Sequence, residues 1–424
     1  APPLGRVLPR RAASIVTDAL ADTRVVLVNG ARQCGKSTLV RAQARDSSAQ
    51  GLQCEWRNLD SVVTRQAAAS DPSGFVDFAE LMVIDEIQRV PELLLAIKEQ
   101  VDADPRPGRY LLTGSARILG LRALPDTLPG RTETVELWPF SQGEIDGRPD
   151  GFVDATFADA GALNHTSAVS RGEYAERIVR GGFPEAVARA NPARRARFFD
   201  SYVADLVARD VSQLSEIEKP AQLRALLRLL AARSGQLLVG NTLSNGLQVS
   251  ARTVHRYLSL LEEVFLIKRI PAWSRSVSSR AIGTPKVAFV DSGVAGNLLD
   301  ADARSLLRPG GPFGPLLEGF VLMELARQLT WSRRRVELFH YRTKDGTEVD
   351  AVLEDRQGRV VGIEVKASST VRPEDFCGLR HLADRLGDDL LAGLVLYTGT
   401  QTLPFGPRLQ AVPVSALWEL AGPH

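Results

Sequence analysis

The sequence predicts an α/β protein of several units: an N-terminal parallel sheet, a helical middle and a C-terminal α/β segment. Three observations carry that expectation. Short β-rich runs alternate with helical stretches over roughly the first 140 residues, the pattern of a parallel sheet. From about Glu173 to Leu230 the apolar spacing turns helical. From Leu316 onward the order is helix, strand hairpin, helix, strand. At 424 residues the chain also exceeds one ordinary hydrophobic core.

Composition sets limits. Apolar residues make up 44% and charged residues 24%, as in soluble globular proteins. The 52 basic and 50 acidic residues nearly cancel, so net charge points neither toward nor away from nucleic acid. No apolar run approaches a membrane span, and no signal-peptide core stands near the N-terminus. The three cysteines lack C-x-x-C spacing and fit a reducing compartment. A cytoplasmic location with no membrane partner is expected.

In order along the chain, strands are expected at residues 25–28, 81–84 and 110–113, and helices at 37–45 and 91–101. Residues 141–170, rich in Gly, Asp and Ala, read as an insertion or linker. Helices follow over 194–214 and 221–233. The expected units are 1–140, 141–220, 221–308 and 309–424.

Gly30-Ala-Arg-Gln-Cys-Gly35-Lys36-Ser37 is a complete phosphate-binding loop, G-x-x-x-x-G-K-S, set between a strand and a helix. Gly30 and Gly35 let the backbone turn its N–H groups toward a triphosphate. Lys36 supplies charge to the β- and γ-phosphates, Ser37 a hydroxyl for Mg²⁺, and Thr38 continues the loop into the helix. Leu81-Met-Val-Ile84-Asp85-Glu86 ends an apolar run in two carboxylates. The first would hold Mg²⁺ and the second, Glu86, would polarise the attacking water. Tyr110-Leu-Leu-Thr113-Gly-Ser115 puts hydroxyls, Ser115 among them, where a γ-phosphate sensor belongs. Arg131 after Pro129-Gly would stabilise charge on a neighbouring subunit's phosphate, which makes a homo-oligomer an expectation. ATP and Mg²⁺ are the expected cofactors.

Residues 29–36, Val83-Ile-Asp85-Glu86-Ile-Gln88, Leu112-Thr-Gly-Ser115 and Leu137-Trp-Pro-Phe140 resemble the bacterial and archaeal AAA-like ATPases. Gly181-Gly-Phe-Pro184-Glu185 and Arg209-Asp210-Val211 resemble that family's linking helices. The resemblance spans nearly the whole chain, 145–170 being its least typical part. It implies an AAA-like P-loop NTPase domain followed by a C-terminal region.

In the middle, residues 241–250 and 251–264 read as helix, Gly-containing turn, Ser250 cap and longer helix. Val254, Leu258, Leu261 and Val264 or Phe265 form its apolar stripe and leave Arg252, Thr253 and Arg256 outward. This is the layout of a helix-turn-helix. β-rich runs at 265–270 and 286–290 flank a loop with Trp273, Arg275 and Arg280, which reads as a basic wing. A winged-helix segment that contacts DNA is expected.

At the C-terminal end, strict alternation from Glu348 to Lys366 makes a hairpin turning near Gln357. One face is apolar; the other carries Glu348, Asp350, Glu364 and Lys366. A symmetric turn sets Asp350 opposite Glu364, with Cβ atoms about 5 Å apart. Carboxylates that close repel unless a cation lies between them, as in a Mg²⁺ site. Glu318 shares a helical stripe with Leu322, Leu325 and Leu329 and needs a partner there. The acid, then E-x-K on the next strand, resembles the restriction-endonuclease-like nuclease fold, and that resemblance implies Mg²⁺ at Glu318, Asp350 and Glu364. Lys366 would be the catalytic cation there. Arg333–Arg335 and His340-Tyr341-Arg342 would add charge and an aromatic for a phosphodiester strand. The sequence thus supports an ATP-hydrolysing, DNA-acting protein with a nuclease-like domain that cleaves phosphodiester bonds. The competing reading is a nucleotide-dependent switch whose nuclease fold binds a partner or nucleic acid without cutting.

Overall fold

The computed structural model describes residues 7–115, 128, 130–159, 162–211, 220–238, 240–276, 280 and 283–423. The chain divides into two compact units, Gly5–Pro139 with Glu263–Phe265, and Phe140–Glu262 with Leu266–His424.

The smaller unit is a parallel five-stranded sheet. Its strands are β1 (Val25–Gly30), β2 (Cys54–Asn58), β3 (Leu81–Asp85), β4 (Tyr110–Gly114) and β5 (Thr132–Leu137), in the order β2-β3-β4-β1-β5. β1, β3 and β4 are buried along their whole length, as central parallel strands covered on both faces must be. β2 at one edge is half-buried and β5 at the other alternates, which is why neither reads as an apolar run. Val25, Leu27, Met82, Ile84, Tyr110 and Leu112 share a core with the inward face of helix Leu93–Ala103. Because β4 lies between β1 and β3, the C-terminal ends of all three converge.

The larger unit contains a helical part and a mixed sheet. Helices Arg171–Arg180 and Pro192–Asp205 precede Pro220–Ala232, and Leu206–Val211 continues as a wider π-type turn. The Gly181-Gly182 pair has a steric reason. A Cβ on Gly182 would lie 2.2 Å from Phe140 O, and one on Gly181 (φ +65°) 2.2 Å from Asp291 Oδ1. Asp291 is buried, accepts from Gly182 N at 2.6 Å, and caps helix Ser292–Leu298 through Val294 N at 3.1 Å.

Helices Gly240–Leu247 and Ala251–Glu263 are followed by the antiparallel pair β6 (Ile267–Ile270) and β7 (Lys286–Phe289). Val254, Leu258 and Leu261 are buried and Ser250 Oγ accepts from Thr253 N. In the loop expected as a basic wing, the described residues Trp273, Arg275 and Arg280 are bound to the C-terminal segment. Trp273 lies in the C-terminal core and its backbone N–H donates to His340 O at 2.6 Å. Arg280 pairs with Glu354 at 2.6 Å and stacks on Phe339, while Arg275 pairs with Asp389 at 2.8 Å. Residues 277–279 and 281–282 of that loop lie outside the described residues.

The second sheet runs β12-β13-β11-β10-β9-β8, with β8 Val336–Arg342, β9 Glu348–Asp355, β10 Val360–Lys366, β11 Leu390–Tyr397, β12 Leu403–Gly406 and β13 Leu409–Pro413. β10 pairs with β11 and β11 with β13 in parallel; the other pairs are antiparallel. Val360↔Glu354 and Ile363↔Ala351 fix the β9–β10 register, and one further step sets Asp350 opposite Glu364. Val352 and Val360, on the acids' face by alternation, are fully buried, so that face is covered rather than solvated. Residues 141–170, expected as an insertion or linker, are helical at Gln142–Asp146 and Phe152–Asp159. They bind the chain's far end: Asp150 N donates to Trp418 O and Ser167 N to Thr400 O.

Candidate functional site

In the smaller unit the phosphate loop leaves β1 and enters helix Lys36–Ala49. Gly30 is obligatory, since a Cβ there would lie 2.0 Å from Leu137 O. Gly35 takes φ 101°, a conformation that glycine adopts without strain. Asn29 Oδ1 accepts from Gly30 N, and the Arg10 guanidinium donates to Cys34 O at 2.8 Å and Trp138 O at 2.6 Å. The Cys34 thiol is buried and donates to Leu137 O. Lys36 is 4% exposed, and its ammonium donates to Gly30 O at 3.0 Å and Ala31 O at 2.9 Å. It is therefore held over the loop that would surround a phosphate. Thr38 is exposed on the first helical turn.

Asp85 connects three strand ends. Its Oδ1 accepts from Ser37 Oγ at 2.9 Å and from Thr113 Oγ1 at 2.5 Å. Thr113 Oγ1 in turn accepts from Glu86 N. Glu86 sits at φ 62°, ψ 48°, a left-handed turn that lifts its side chain off the end of β3. Glu86 Oε2 accepts from Ser115 Oγ at 3.1 Å and from the Gln88 amide, which also donates to Ser115 Oγ at 2.7 Å. Gly30, Gly35, Lys36, Ser37, Asp85, Glu86 and Ser115 thus belong to one cluster. Thr113 and Gln88 join it without having been singled out as site residues; both lie inside the motifs that were. Arg131, in the turn just before β5, donates to Asp102 at 2.5 and 3.0 Å within its own unit. The hydroxyl and carboxylate of Ser37 and Asp85 are hard oxygen donors that suit Mg²⁺.

The second cluster lies in the larger unit and holds an unexpected member. Glu318, on helix Phe313–Trp331, and Asp350, on β9, both meet the ammonium of Lys286 from β7. The distances are 2.6 Å to Glu318 Oε1 and 2.8 Å to Asp350 Oδ1. Asp350 Oδ2 accepts from Val365 N at 2.9 Å, and Glu364 Oε1 from Lys366 Nζ at 3.0 Å. Glu364 Oε2 is buried and has no hydrogen-bond partner among the described residues. Burial raises Glu318 to about 8 and Glu364 to about 7, Asp350's charge adding to both. Burial opposes charge on Lys286 as well, but Asp350 and Glu318 more than offset it and raise its pKa.

A raised lysine implies ionised partners, whereas raised glutamates imply protonated ones. Counting charges reconciles the two. Three carboxylates face the ammonium groups of Lys286 and Lys366, leaving one excess negative charge that a single retained proton cancels. Among the described residues no group of three His, Cys, Asp or Glu is placed to hold a metal ion. With Lys286 bridging two of the three expected ligands, the residues do not fit a divalent ion in this arrangement. His340 adds no charge: burial lowers it to about 4, and its Nε2 lies 2.9 Å from Thr284 O. Arg342 is paired with Glu348.

The phosphate loop at the end of a five-stranded parallel sheet defines the smaller unit as an AAA-like P-loop ATPase domain. Residues 22–146 match a family profile described as an AAA domain. Residues 171–305 and 313–417 match two domains of unknown function, DUF8612 and DUF4143. Uncharacterized proteins of Mycobacterium bovis and Mycobacterium tuberculosis are each 29% identical over 412 residues, 96% of this chain and 84% of theirs. Among solved structures, the Walker-type ATPase of Pyrococcus abyssi is 14% identical with a TM-score of 0.43, over 70% of this chain and 97% of that one. AMPPCP-bound DnaA from Aquifex aeolicus is 13% identical with a TM-score of 0.32, over 59% and 86%. Likeness at that level assigns neither fold nor function. No helix among the described residues is long and apolar enough to cross a membrane.

Proposed function

We propose that this chain is a Mg²⁺-dependent ATPase whose nucleotide state is the input to a larger unit that engages DNA without cutting it. The observation that carries the ATPase reading is Asp85 Oδ1, shared by Ser37 from the phosphate loop and Thr113 from β4. In this reading Lys36 leaves the loop carbonyls for the β- and γ-phosphates, and backbone N–H groups of residues 31–37 bind phosphate oxygens. Ser37 and Asp85 would hold Mg²⁺, which supplies positive charge to the phosphate oxygens. Glu86 orients and deprotonates water, with Ser115 and Gln88 fixing its carboxylate. Helix Ala251–Glu263, with Arg252 exposed on it, supports DNA as the partner.

The Lys286 contact weighs against phosphodiester cleavage and toward binding alone. The test runs ATP hydrolysis, DNA binding and DNA cleavage in parallel on wild type, Lys36→Ala and Glu86→Gln. Hydrolysis lost in both variants, DNA binding that weakens steeply with salt, and no Mg²⁺-dependent cleavage are expected. Hydrolysis that survives Lys36→Ala would sink the ATPase assignment. Binding indifferent to salt would point to a protein partner instead.

A further inference from the structure

We infer that Lys286 is the built-in cation of the Glu318–Asp350–Glu364 cluster, so that the C-terminal unit excludes divalent metal until that ammonium is removed. The Lys286 ammonium reaches the oxygens of Glu318 and Asp350 that a metal would need, and only 4% of the side chain is exposed. Its backbone is fixed on both sides. Lys286 pairs with Ile270 in β6, and on the other edge Gly235 N donates to Val287 O at 2.8 Å while Leu238 N donates to Pro285 O at 2.9 Å. The Ser234–Gly235 turn is itself pressed onto the Glu318 helix. A Cβ on Gly235 (φ +80°) would lie 2.8 Å from Glu318 Cδ, and one on Gly319 2.2 Å from Ser234 Oγ. Lys286 is therefore delivered by three packed segments, not by a mobile loop.

The chemistry of the donors agrees. A divalent ion entering beside the ammonium would meet like charge at close range, and every Lys286 donor lost to it would be stranded in a buried site. The buried Glu364 Oε2, with no hydrogen-bond partner among the described residues, shows that the cluster holds acceptor capacity that its two lysines leave unused. Removing the ammonium leaves the Glu318 and Asp350 carboxylates facing each other in a buried site, with Glu364 beside Asp350, and a divalent ion relieves that repulsion.

Mn²⁺ is the probe, and the nucleotide-free full chain carrying Ser37→Ala, which removes the hydroxyl ligand of the ATPase site, is the protein. Electron paramagnetic resonance titration should find no stoichiometric Mn²⁺ while Lys286 is present. Adding Lys286→Met should tighten Mn²⁺ binding on the order of 100-fold or more, to one ion per chain. A further Asp350→Asn should abolish that gain. If Lys286→Met does not fold, Lys286→Gln, which keeps a hydrogen-bond donor without the charge, replaces it. Stoichiometric Mn²⁺ bound with Lys286 intact and lost on Asp350→Asn overturns the inference. So does a folded Lys286 variant that takes up no Mn²⁺. Both outcomes stand apart from whether the chain hydrolyses ATP.

Discussion

Glu86 is the residue on which turnover should depend most. Its carboxylate accepts from Ser115 Oγ and the Gln88 amide, which hold it in the cluster with Ser37 and Asp85. Glu86→Gln should keep nucleotide binding and lower kcat by about 10²–10⁴-fold, as loss of a general base does; Lys36→Ala should lose binding first. Equilibrium titration with a fluorescent ATP analogue alongside turnover separates the two. Glu318 makes a different prediction. Burial raises its pKa from the ordinary 4.5 to about 8. A carboxyl that holds its proton more tightly when folded contributes stability below about 4.5 that is lost as pH rises toward 8. Glu318→Gln, neutral at every pH, should therefore become progressively less destabilising relative to wild type between those limits. Urea denaturation of both proteins at pH 5 and pH 8 reads this; a gap independent of pH would mean that Glu318 does not titrate in that range. Lys36, Ser37, Asp85 and Glu86 were legible because their spacing along the chain is itself the motif. Lys286 was not, because its partners lie 32 and 64 residues away and meet it only through packing.

At the scale of elements, what the sequence displayed depended on burial. The β9–β10 hairpin was readable to its register because alternation has a period of two and the turn is symmetric about Gln357. β2, Cys-Glu-Trp-Arg-Asn, is half-buried throughout at a sheet edge and carries no such pattern. β5 alternates, but only its parallel pairing with β1 identifies it as a strand of that sheet. The residues expected as a wing showed their composition and not their destination, since Glu354 and Asp389, which bind Arg280 and Arg275, lie far along the chain. The Gly181-Gly182 turn joins two elements through Asp291. Asp291→Ala removes a helix cap and leaves the Gly182 N–H buried without its acceptor. A loss of about 3 kcal/mol in the stability of the larger unit should follow, measured by urea denaturation. A change within about 0.5 kcal/mol would show that water replaces the carboxylate.

For the whole molecule the question is whether nucleotide at one unit is sensed by the other. Mass action alone stabilises only the unit that holds the site, by about 2.7 kcal/mol when ligand is at 100 times its Kd. A switch requires more, because a ligand moves an equilibrium only through different affinity for its two states. Those states must then differ in the larger unit as well as around Lys36. Helix Ala251–Glu263 is the element to watch, since it carries Arg252 outward. A non-hydrolysable ATP analogue with Mg²⁺ should slow amide hydrogen exchange in residues 30–38 and change it in Ala251–Glu263 of the wild type. Neither segment should respond in Lys36→Ala. Protection confined to the phosphate loop would mean that the two units act independently, and the nucleotide would not be the input to DNA binding.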